Sequence, residues 1–324
     1  MLLGFDIGGT KCAVLMGETR GERIEIVQKA VMPTDRPVYE MIEALFVSAE
    51  RMLEGQGMAT LEGIGISCGG PLSSKRGMIL SPPNLPGWDN VPIVKMTEER
   101  FGRRAFLQND ANACAMAEWK FGAGMGYNNL IFLTFGTGMG AGLILDGRLY
   151  SGTTDLAGEV GHLRLSEMGP VGFGKAGSFE GWASGGGIAQ LAQTMVRQKL
   201  QMGEKVSFCS GFSELYQLTA RTVAEAAFAG DELAKEIYRV CGYWLGRGMA
   251  LLIDVLNPEI IVLGSIFGRV RPLIEPSMRA VLDAETLADS NADCRIVPAG
   301  LGESIGDMAA LTLANFISKE KVTA

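Results

Sequence analysis

Residues 2–15 read LLGFDIGGTKCAVL, an apolar run, a turn rich in glycine and a second apolar run. This pattern predicts a strand, a tight turn and a second strand. A third strand is predicted over Ile24 to Val31. Tyr39 to Leu53 carries apolar residues at helical spacing, which predicts a helix that stops at Gly55. With the β-rich run from Gly63 to Ser67, the first part of the chain is predicted to form a βββαβ unit.

The same order recurs further along the chain. Leu130 to Phe135 is predicted to be a strand, Gly136 to Gly142 a glycine turn and Leu143 to Leu145 a second strand, and Asp146-Gly147 turns the chain into Arg148 to Tyr150. Two copies of one pattern predict two related halves that face each other. Helices are also predicted over residues 97–101, 109–121, 186–201, 219–229, 231–256, 272–282 and 304–317, and strands over 105–108, 259–263 and 294–298. Alternating strands and helices predict α/β layers.

Composition excludes several classes of protein. A chain of 324 residues should hold about two domains. The 29 Lys and Arg residues against 36 Asp and Glu give a net charge of −7, which argues against a basic surface for nucleic acid or an anionic membrane. The six cysteines form no CxxC pair, and the only histidine is His162, so a site with two histidines is excluded. Without a signal peptide or a long apolar run, we expect a cytoplasmic protein.

The first glycine turn reads DIGGTK from Asp6 to Lys11. Glycines leave backbone N–H groups uncovered, and such a turn can hold phosphate oxygens. The alternative is an ordinary hairpin turn whose glycines supply a positive φ. Asp6 favours the functional interpretation, because a carboxylate at a strand end suits Mg²⁺ held through water.

The second glycine turn runs from Phe135 to Gly142 and formally matches GxGxxA. A dinucleotide-binding loop would lead into a helix, whereas here a strand follows. Paired with the first turn, it is better interpreted as a second phosphate-binding loop.

Three further sites carry polar side chains. Asn109 and Asp110 stand where a strand ends and a helix begins, so Asp110 is either the helix N-cap or a carboxylate that accepts a substrate proton. Glu159 and His162 are three residues apart and on a helical turn would point the same way, but they could equally be a solvated charge and a satisfied polar residue. The segment around Glu180 is uninformative by itself.

Six blocks stand in the order of a known family: DIGGTK from Asp6, PNLPGW from Pro83, NDANA from Asn109, FGTGMGAGLILDGRLYSG from Phe135, GEVGH from Gly158 and NPEIIVLGS from Asn257. Together they resemble the ROK family, the bacterial sugar kinases and related repressors. The resemblance implies an α/β, two-lobed actin-like ATPase (ribonuclease H-like) fold of duplicated βββαβα domains. Its smaller lobe would be residues 1–110 with the final helix 304–324, and its larger lobe residues 111–303.

The resemblance also implies roles for individual residues. Asp110 would be the catalytic base that takes the proton from the sugar hydroxyl. Asn109, Glu159, His162 and Glu180 would bind sugar hydroxyls, with Gly69, Gly70 and Asn84 lining the same cleft. The ATP-binding residues would be Asp6, Gly8, Gly9, Thr10 and Lys11 in the first turn, Thr137 and Gly138 in the second, and Gly264 and Ser265 beside the adenosine, with Asp6 holding Mg²⁺ through water.

The chain departs from the family pattern where members carry CxCGxxGCxE, three cysteines that bind zinc with the histidine. Val171, Phe173 and Ser178 stand at these cysteine positions, so we expect no structural zinc and a loop held by apolar packing. Repressors of the family carry a DNA-binding region before the first strand, and because that strand is predicted to start at Leu2, we expect no such region here. We therefore expect an ATP-dependent hexose kinase acting at the 6-hydroxyl, a homodimer that binds neither nucleic acid nor membrane. The alternatives are a kinase for another sugar, such as fructose, allose or an N-acetylhexosamine, a sugar-binding regulator without turnover, and an acyl-phosphate-forming kinase, which would need cationic residues at the sugar-site positions.

Overall fold

The computed structural model of the chain describes residues 1–54 and 57–319. Its strands are β1 (Leu2–Ile7), β2 (Lys11–Arg20), β3 (Arg23–Pro33), β4 (Gly63–Cys68), β5 (Leu72–Ser73), β6 (Met78–Ile79), β7 (Ala105–Asn109), β8 (Leu130–Leu133), β9 (Ala141–Leu145), β10 (Arg148–Leu149), β11 (Val171–Gly172), β12 (Lys175–Ala176), β13 (Ile260–Leu263) and β14 (Arg295–Pro298). Its α-helices are α1 (Val38–Leu53), α2 (Ile93–Phe101), α3 (Asp110–Phe121), α4 (Phe179–Trp182), α5 (Gly185–Gln201), α6 (Ala220–Phe228), α7 (Glu232–Leu256), α8 (Ser265–Glu285), α9 (Ala288–Asp293) and α10 (Ile305–Lys319).

The strands form two five-stranded sheets of matching order. The first runs β3-β2-β1-β4-β7 and the second β10-β9-β8-β13-β14. In the first, β1, β2 and β3 form an antiparallel meander, and β4 and β7 then add in parallel to β1. In the second, β13 is parallel to both β8 and β14. The repeated pattern predicted from the sequence is therefore present, and the prediction of a duplicated fold is confirmed.

The chain divides into two compact units. The first comprises Met1–Gly126, Gly142–Ala157 and the described chain from Glu303 onward, and the second comprises Tyr127–Ala141 and Gly158–Gly302. The predicted domain boundary at residue 110 falls inside the first unit, between β7 and α3. Residues 320–324 of the predicted final segment, and Gly55 at the predicted end of α1, lie outside the described residues.

Glycines on the first sheet allow α10 to lie directly against it. A Cβ on Gly65 of β4 would stand 2.0 Å from the Ala310 carbonyl oxygen, and one on Gly63 would stand 2.5 Å from the Ala314 carbonyl oxygen. On β1, a Cβ on Gly4 would lie 3.0 Å from the Ala310 side chain. Any side chain at these positions would separate helix and sheet, so glycine is required for close approach rather than for an unusual φ.

Aromatic side chains form a core between the first sheet, α1 and α2. The rings of Phe5, Phe46 and Phe101 contact one another pairwise, with centroids 5.4–6.2 Å apart. All three side chains are buried. The predicted periodicity of α1 is confirmed, because its apolar positions face this core.

Two features of the second unit differ from the prediction. The helix expected to begin at Pro272 begins at Ser265, because the chain continues as helix on both sides of a kink at Val270. Pro272 follows the kink and lies inside α8, so the helix continues through it. The short helix α9 and the hairpin of β11 and β12 were not predicted, since elements of two to six residues show no measurable periodicity. Of the helices in residues 1–54 and 57–319, none has the combination of length and apolarity that a membrane span needs.

Asp155 connects two loops of the first unit and yields a prediction about stability. Its carboxylate accepts the Ser74 N–H at 2.9 Å and the Ser74 hydroxyl at 2.6 Å, although Asp155 is buried and adopts a left-handed φ of 60°. Asp155→Ala leaves the Ser74 N–H and hydroxyl without their acceptor. It also places alanine, whose side chain cannot hydrogen-bond to the nearby backbone, in the left-handed region. We expect a loss of about 2–4 kcal/mol in unfolding free energy.

Thermal unfolding of three variants checks this prediction. Asp155→Gly fits the left-handed backbone and loses only the acceptors, while Asp155→Asn keeps one acceptor oxygen and tolerates the φ. We expect the melting temperature to fall in the order wild type, Asp155→Asn, Asp155→Gly and Asp155→Ala. A melting temperature of the Ala variant equal to that of wild type would show that the contact with Ser74 contributes nothing.

Candidate functional site

Three parallel strands of the first sheet end at the same edge. Ile7 of β1 pairs with Cys68 of β4, and Cys68 pairs with Asn109 of β7. The residues that follow these strand ends therefore emerge side by side. They are the first glycine turn after β1, Gly69 and Gly70 after β4, and Asp110 after β7. The carboxyl edge of parallel strands is where α/β folds bind ligands.

Asp6 is a half-buried carboxylate at this edge. Its pKa is raised from 3.8 to about 6, mainly by burial and also by the neighbouring carboxylates of Asp110 and Asp307, while Lys11 and Lys29 act in the opposite direction. The start of α10 stands close by, since a Cβ on Gly306 would lie 3.6 Å from Asp6 Oδ2. Three carboxylates thus produce a negative potential that favours a cation.

Asp110 is the first residue of α3, and Asn109 before it is the N-cap. The Asn109 side-chain oxygen accepts the Asn112 N–H at 2.7 Å, which is the capping bond. The alternative that Asp110 is the cap is therefore wrong, because the neighbouring amide performs that role. Burial of the carboxyl group by the surrounding protein raises the pKa of Asp110, and the Ala111 N–H, which donates to Oδ1 at 2.8 Å, opposes this shift.

The first glycine turn is closed by backbone and hydroxyl contacts. The Gly8 N–H donates to the Lys11 carbonyl at 3.2 Å, and the Thr34 hydroxyl donates to the Gly8 carbonyl at 2.7 Å. A Cβ on Gly9 would stand 2.2 Å from the Asn84 carbonyl oxygen, so Asn84 packs against this turn. Thr10 remains exposed. A Cβ at Gly69 or Gly70 would meet no neighbouring atom within 4 Å, so both residues border open space.

In the second unit, the parallel strands β8 and β13 end together. Leu133 pairs with Leu263, which places the second glycine turn beside Gly264 and Ser265 at the start of α8. The Gly264 N–H donates to the Leu133 carbonyl at 2.9 Å, and the Ser265 hydroxyl donates to the Phe135 carbonyl at 3.3 Å. The two sets of residues that the family resemblance assigned to ATP in this unit are therefore neighbours.

Within the turn, Thr137 is exposed and Gly138 lies against the Glu180 carboxylate. A Cβ on Gly138 would lie 2.7 Å from Glu180 Oε2. The backbone of the turn also meets the start of α5, where the Gly185 N–H donates to the Gly136 carbonyl at 2.8 Å. The turn is thereby fixed by α4 and α5 on one side and by α8 on the other.

Glu180 is held against the second glycine turn. Its Oε2 accepts the Met139 N–H at 2.9 Å. Gly161 lies in the same place, since a Cβ there would be 2.2 Å from the Met139 carbonyl oxygen and 3.2 Å from the Glu180 Cβ. Glu180 therefore links the second turn to the segment that carries Glu159 and His162.

Glu159 precedes the short 3₁₀ turn Val160–His162 and is exposed, whereas His162 is half-buried. The His162 ring meets the Phe173 ring edge-on, with centroids 5.2 Å apart. Glu159, His162 and Glu180 thus belong to one cluster of the second unit, and their sugar-binding roles stay predictions.

The loop that would carry zinc ligands is organised differently from the expectation of apolar packing. Val171 and Phe173 are 46% and 66% exposed, so apolar burial does not hold the loop. Hydrogen bonds do: Val171 exchanges backbone bonds with the Gln190 side-chain amide at 2.9 and 2.8 Å, and the Lys175 ammonium donates to the His162 carbonyl at 2.7 Å. Ser178, at the third cysteine position, is buried and caps α4. Across residues 1–54 and 57–319, no group of three or more His, Cys, Asp or Glu side chains is placed to hold a metal ion.

Sequence reasoning missed one contributor to the acidic edge. Asp307 in the first turn of α10 faces Asp6 and forms an ion pair with Lys29 at 2.6 Å. Only the packing of α10 on the first sheet brings it there. The pair Gly306-Asp307 at the start of a predicted helix was the available signal.

The raised pKa of Asp6 predicts that the acidic edge costs stability at neutral pH. The folded-state pKa lies above the unfolded value, so the cost is absent below pH 3.8 and is complete once the pH passes about 6. Asp6→Asn removes the ionised form. We expect it to unfold at a higher temperature than wild type at pH 7.5, with a gain of up to about 3 kcal/mol that vanishes near pH 4.

Melting curves of wild type, Asp6→Asn and the control Asp35→Asn between pH 4 and 8 provide the measurement. Asp35 is an exposed aspartate of the same unit, so its variant should follow wild type throughout. If Asp6→Asn is less stable than wild type at pH 7.5, ionisation of the Asp6 carboxyl does not destabilise the fold.

Comparisons with known proteins agree with this geometry. A model of the ROK family matches residues 2–316. The chain is 30% identical over 265 residues to a glucokinase from Streptomyces coelicolor, covering 82% of this chain and 81% of that one. It is 28% identical over 275 residues to a xylose repressor from Caldicellulosiruptor bescii, covering 83% of this chain and 67% of the repressor.

Two crystal structures are similar over nearly the whole chain. A ROK hexokinase from Thermus thermophilus has a TM-score of 0.77 and 30% identity, with 99% of both chains covered. A ROK family glucokinase from Streptomyces griseus, in complex with glucose and AMPPNP, has a TM-score of 0.76 and 29% identity, covering 97% of this chain and 99% of that one.

Two matching sheets, each with a glycine turn at its strand ends, define a protein of the actin-like ATPase fold, as predicted. The family match extends over both units and includes both turns. The chain belongs to the ROK family.

Proposed function

We propose that this protein is an ATP-dependent sugar kinase that transfers the γ-phosphate of ATP to a hydroxyl, most favourably the 6-hydroxyl, of a glucose-type hexose. One observation carries the proposal. The strand ends that lead to Asp110 and to the first glycine turn lie side by side, and Asp110 is close enough to Asp6 to raise its pKa. This arrangement supports a proton acceptor next to a phosphate-binding loop within one unit. Glucokinases among the relatives support the choice of glucose.

The chemistry follows from positioning and charge. Asp110 accepts the proton of the sugar hydroxyl, the hydroxyl oxygen bonds to the γ-phosphorus, and the bond to the β-γ bridging oxygen breaks to release ADP. The raised pKa of Asp110 suits this role, because a base with a pKa nearer to neutral accepts a proton more readily. Backbone N–H groups of the glycine turns bind phosphate oxygens.

The acidic edge fits Mg²⁺. A magnesium ion bound with ATP needs only one or two carboxylates, because water and phosphate oxygens fill its other positions. Asp6, with Asp110 and Asp307 adding negative charge, offers this kind of site. When bound, Mg²⁺ would neutralise negative charge on the phosphate oxygens of ATP.

A second candidate is a sugar-binding regulator without turnover, favoured by the similarity to a xylose repressor. A coupled assay of ADP release separates the two. It would use the full chain with Mg-ATP and a panel of glucose, fructose, mannose, allose, N-acetylated hexosamines and xylose. We expect glucose to give the highest kcat/KM. Xylose binding measured by calorimetry, with no ADP release from any sugar, would support the regulator instead. Homodimer formation and a cytoplasmic location stay predictions.

A further inference from the structure

The hairpin of β11 and β12 turns through two residues, Phe173 and Gly174, whose φ values are 43° and 74°. Two-residue hairpin turns with positive φ at both positions favour Asn-Gly or Gly-Gly. Phenylalanine at the first position is strained, because its Cβ crowds the backbone in the left-handed region. The chain therefore keeps an aromatic residue where a small polar one would be more stable.

Burial does not account for this choice. The Phe173 side chain is 66% exposed, so little of its apolar surface is removed from water. Its ring contact is with the His162 imidazole, at 5.2 Å between centroids and 69° between planes. Strained, exposed residues of this kind are concentrated at functional sites, where a ligand makes the contact that the fold does not.

The two rings are held in place by the surrounding loop. The Gln190 amide fixes Val171 at one end of the hairpin, and Lys175 at the other end donates to the His162 carbonyl at 2.7 Å. These bonds position the hairpin that carries Phe173 next to His162. The 66% exposure of the Phe173 side chain leaves much of its ring surface open beside the imidazole.

We propose that Phe173 is a sugar-binding residue whose ring receives the C–H face of the hexose pyranose ring, while His162 beside it binds a hydroxyl. A pyranose presents hydroxyls at its edge and an apolar face of C–H groups, and an exposed aromatic face next to a polar nitrogen matches both. This assignment rests on the proposed sugar kinase function and names a specificity-determining contact within it.

Calorimetric titration of the full chain with D-glucose, in the absence of ATP, tests the assignment. Phe173→Asn relieves the backbone strain and removes the ring, so the dissociation constant for glucose should rise about 5- to 10-fold while the melting temperature stays equal or rises. Phe173→Tyr keeps the ring and should bind glucose within about twofold of wild type. Opposite changes in binding and stability are not expected of a residue that only supports the loop.

Three outcomes would overturn the assignment. Phe173→Asn could bind glucose as wild type does, or it could change the molecular mass measured by light scattering with unchanged glucose affinity, which would mean that a second copy of the chain covers the ring. A wild type that binds no hexose would contradict the proposed function and this contact together. Glucose binding by wild type that weakens in Phe173→Asn, with no ADP release, would contradict the kinase and leave the contact supported.

Discussion

Asp110→Asn should lower kcat about 10²- to 10⁴-fold, because it removes the general base and retains the shape of the side chain. The capping bond belongs to Asn109, so α3 keeps its start. The pKa of Asp110 is raised by burial, and the neutral amide should therefore fold at least as stably as the carboxylate at pH 7.5. The KM values for ATP and sugar should change little, since the substitution removes an interaction made in the transition state.

The measurement is steady-state ADP release with calorimetric sugar titration on the same preparation. Asp35→Asn provides the control, because it removes one negative charge from an exposed site of the same unit. Turnover of Asp110→Asn within a few-fold of wild type would exclude Asp110 as the base. Loss of sugar binding together with turnover would instead assign Asp110 to substrate binding.

Gly65→Ala should destabilise the protein by about 3 kcal/mol, the upper part of the range for overpacked cores. The new Cβ would meet the Ala310 carbonyl oxygen at 2.0 Å and the Ala314 nitrogen at 2.6 Å. Both are backbone atoms of α10, so no rotamer change relieves the clash and the helix must move from the sheet. Because Asp307 belongs to α10, activity should also fall in any fraction that remains folded.

The melting temperature and the urea unfolding midpoint of Gly65→Ala measure this loss of stability. Gly268→Ala is the matched control, since Gly268 is an exposed helical glycine whose added Cβ would lie 3.9 Å from the nearest atom. The control should be neutral or stabilising, because alanine favours helices. A Gly65→Ala protein as stable as wild type would show that α10 does not rest on the sheet as closely as described.

Local patterns in the sequence predicted the elements that hold the two glycine turns. Alternation and helical periodicity are properties of neighbouring residues, so β1, α1 and α3 could be predicted within a residue or two, whereas β2 continues to Arg20, past its predicted end at Leu15. The Asn109-Asp110 pair could not be resolved by the same reasoning. Both residue types cap helices, and the hydrogen bond to Asn112 decides between them.

Features that depend on tertiary packing were outside the reach of local pattern. The approach of α10 to Gly65 and the ion pair of Asp307 with Lys29 join residues that are more than 200 positions apart. The Phe173-Gly174 turn lacks the Asn-Gly signal of its class, so the hairpin was missed. Its departure from that rule is also what suggests a function for Phe173.

Hexose-dependent ADP release tests the central proposal most directly. Wild type and Asp110→Asn would be compared as full chains at saturating glucose and Mg-ATP, with glucose affinity measured on both. The proposal predicts glucose-dependent ADP release by wild type, a rate at least about 100-fold lower in Asp110→Asn, and similar glucose affinity in the two proteins. Glucose binding by wild type without ADP release, or equal rates in the two proteins, would contradict it.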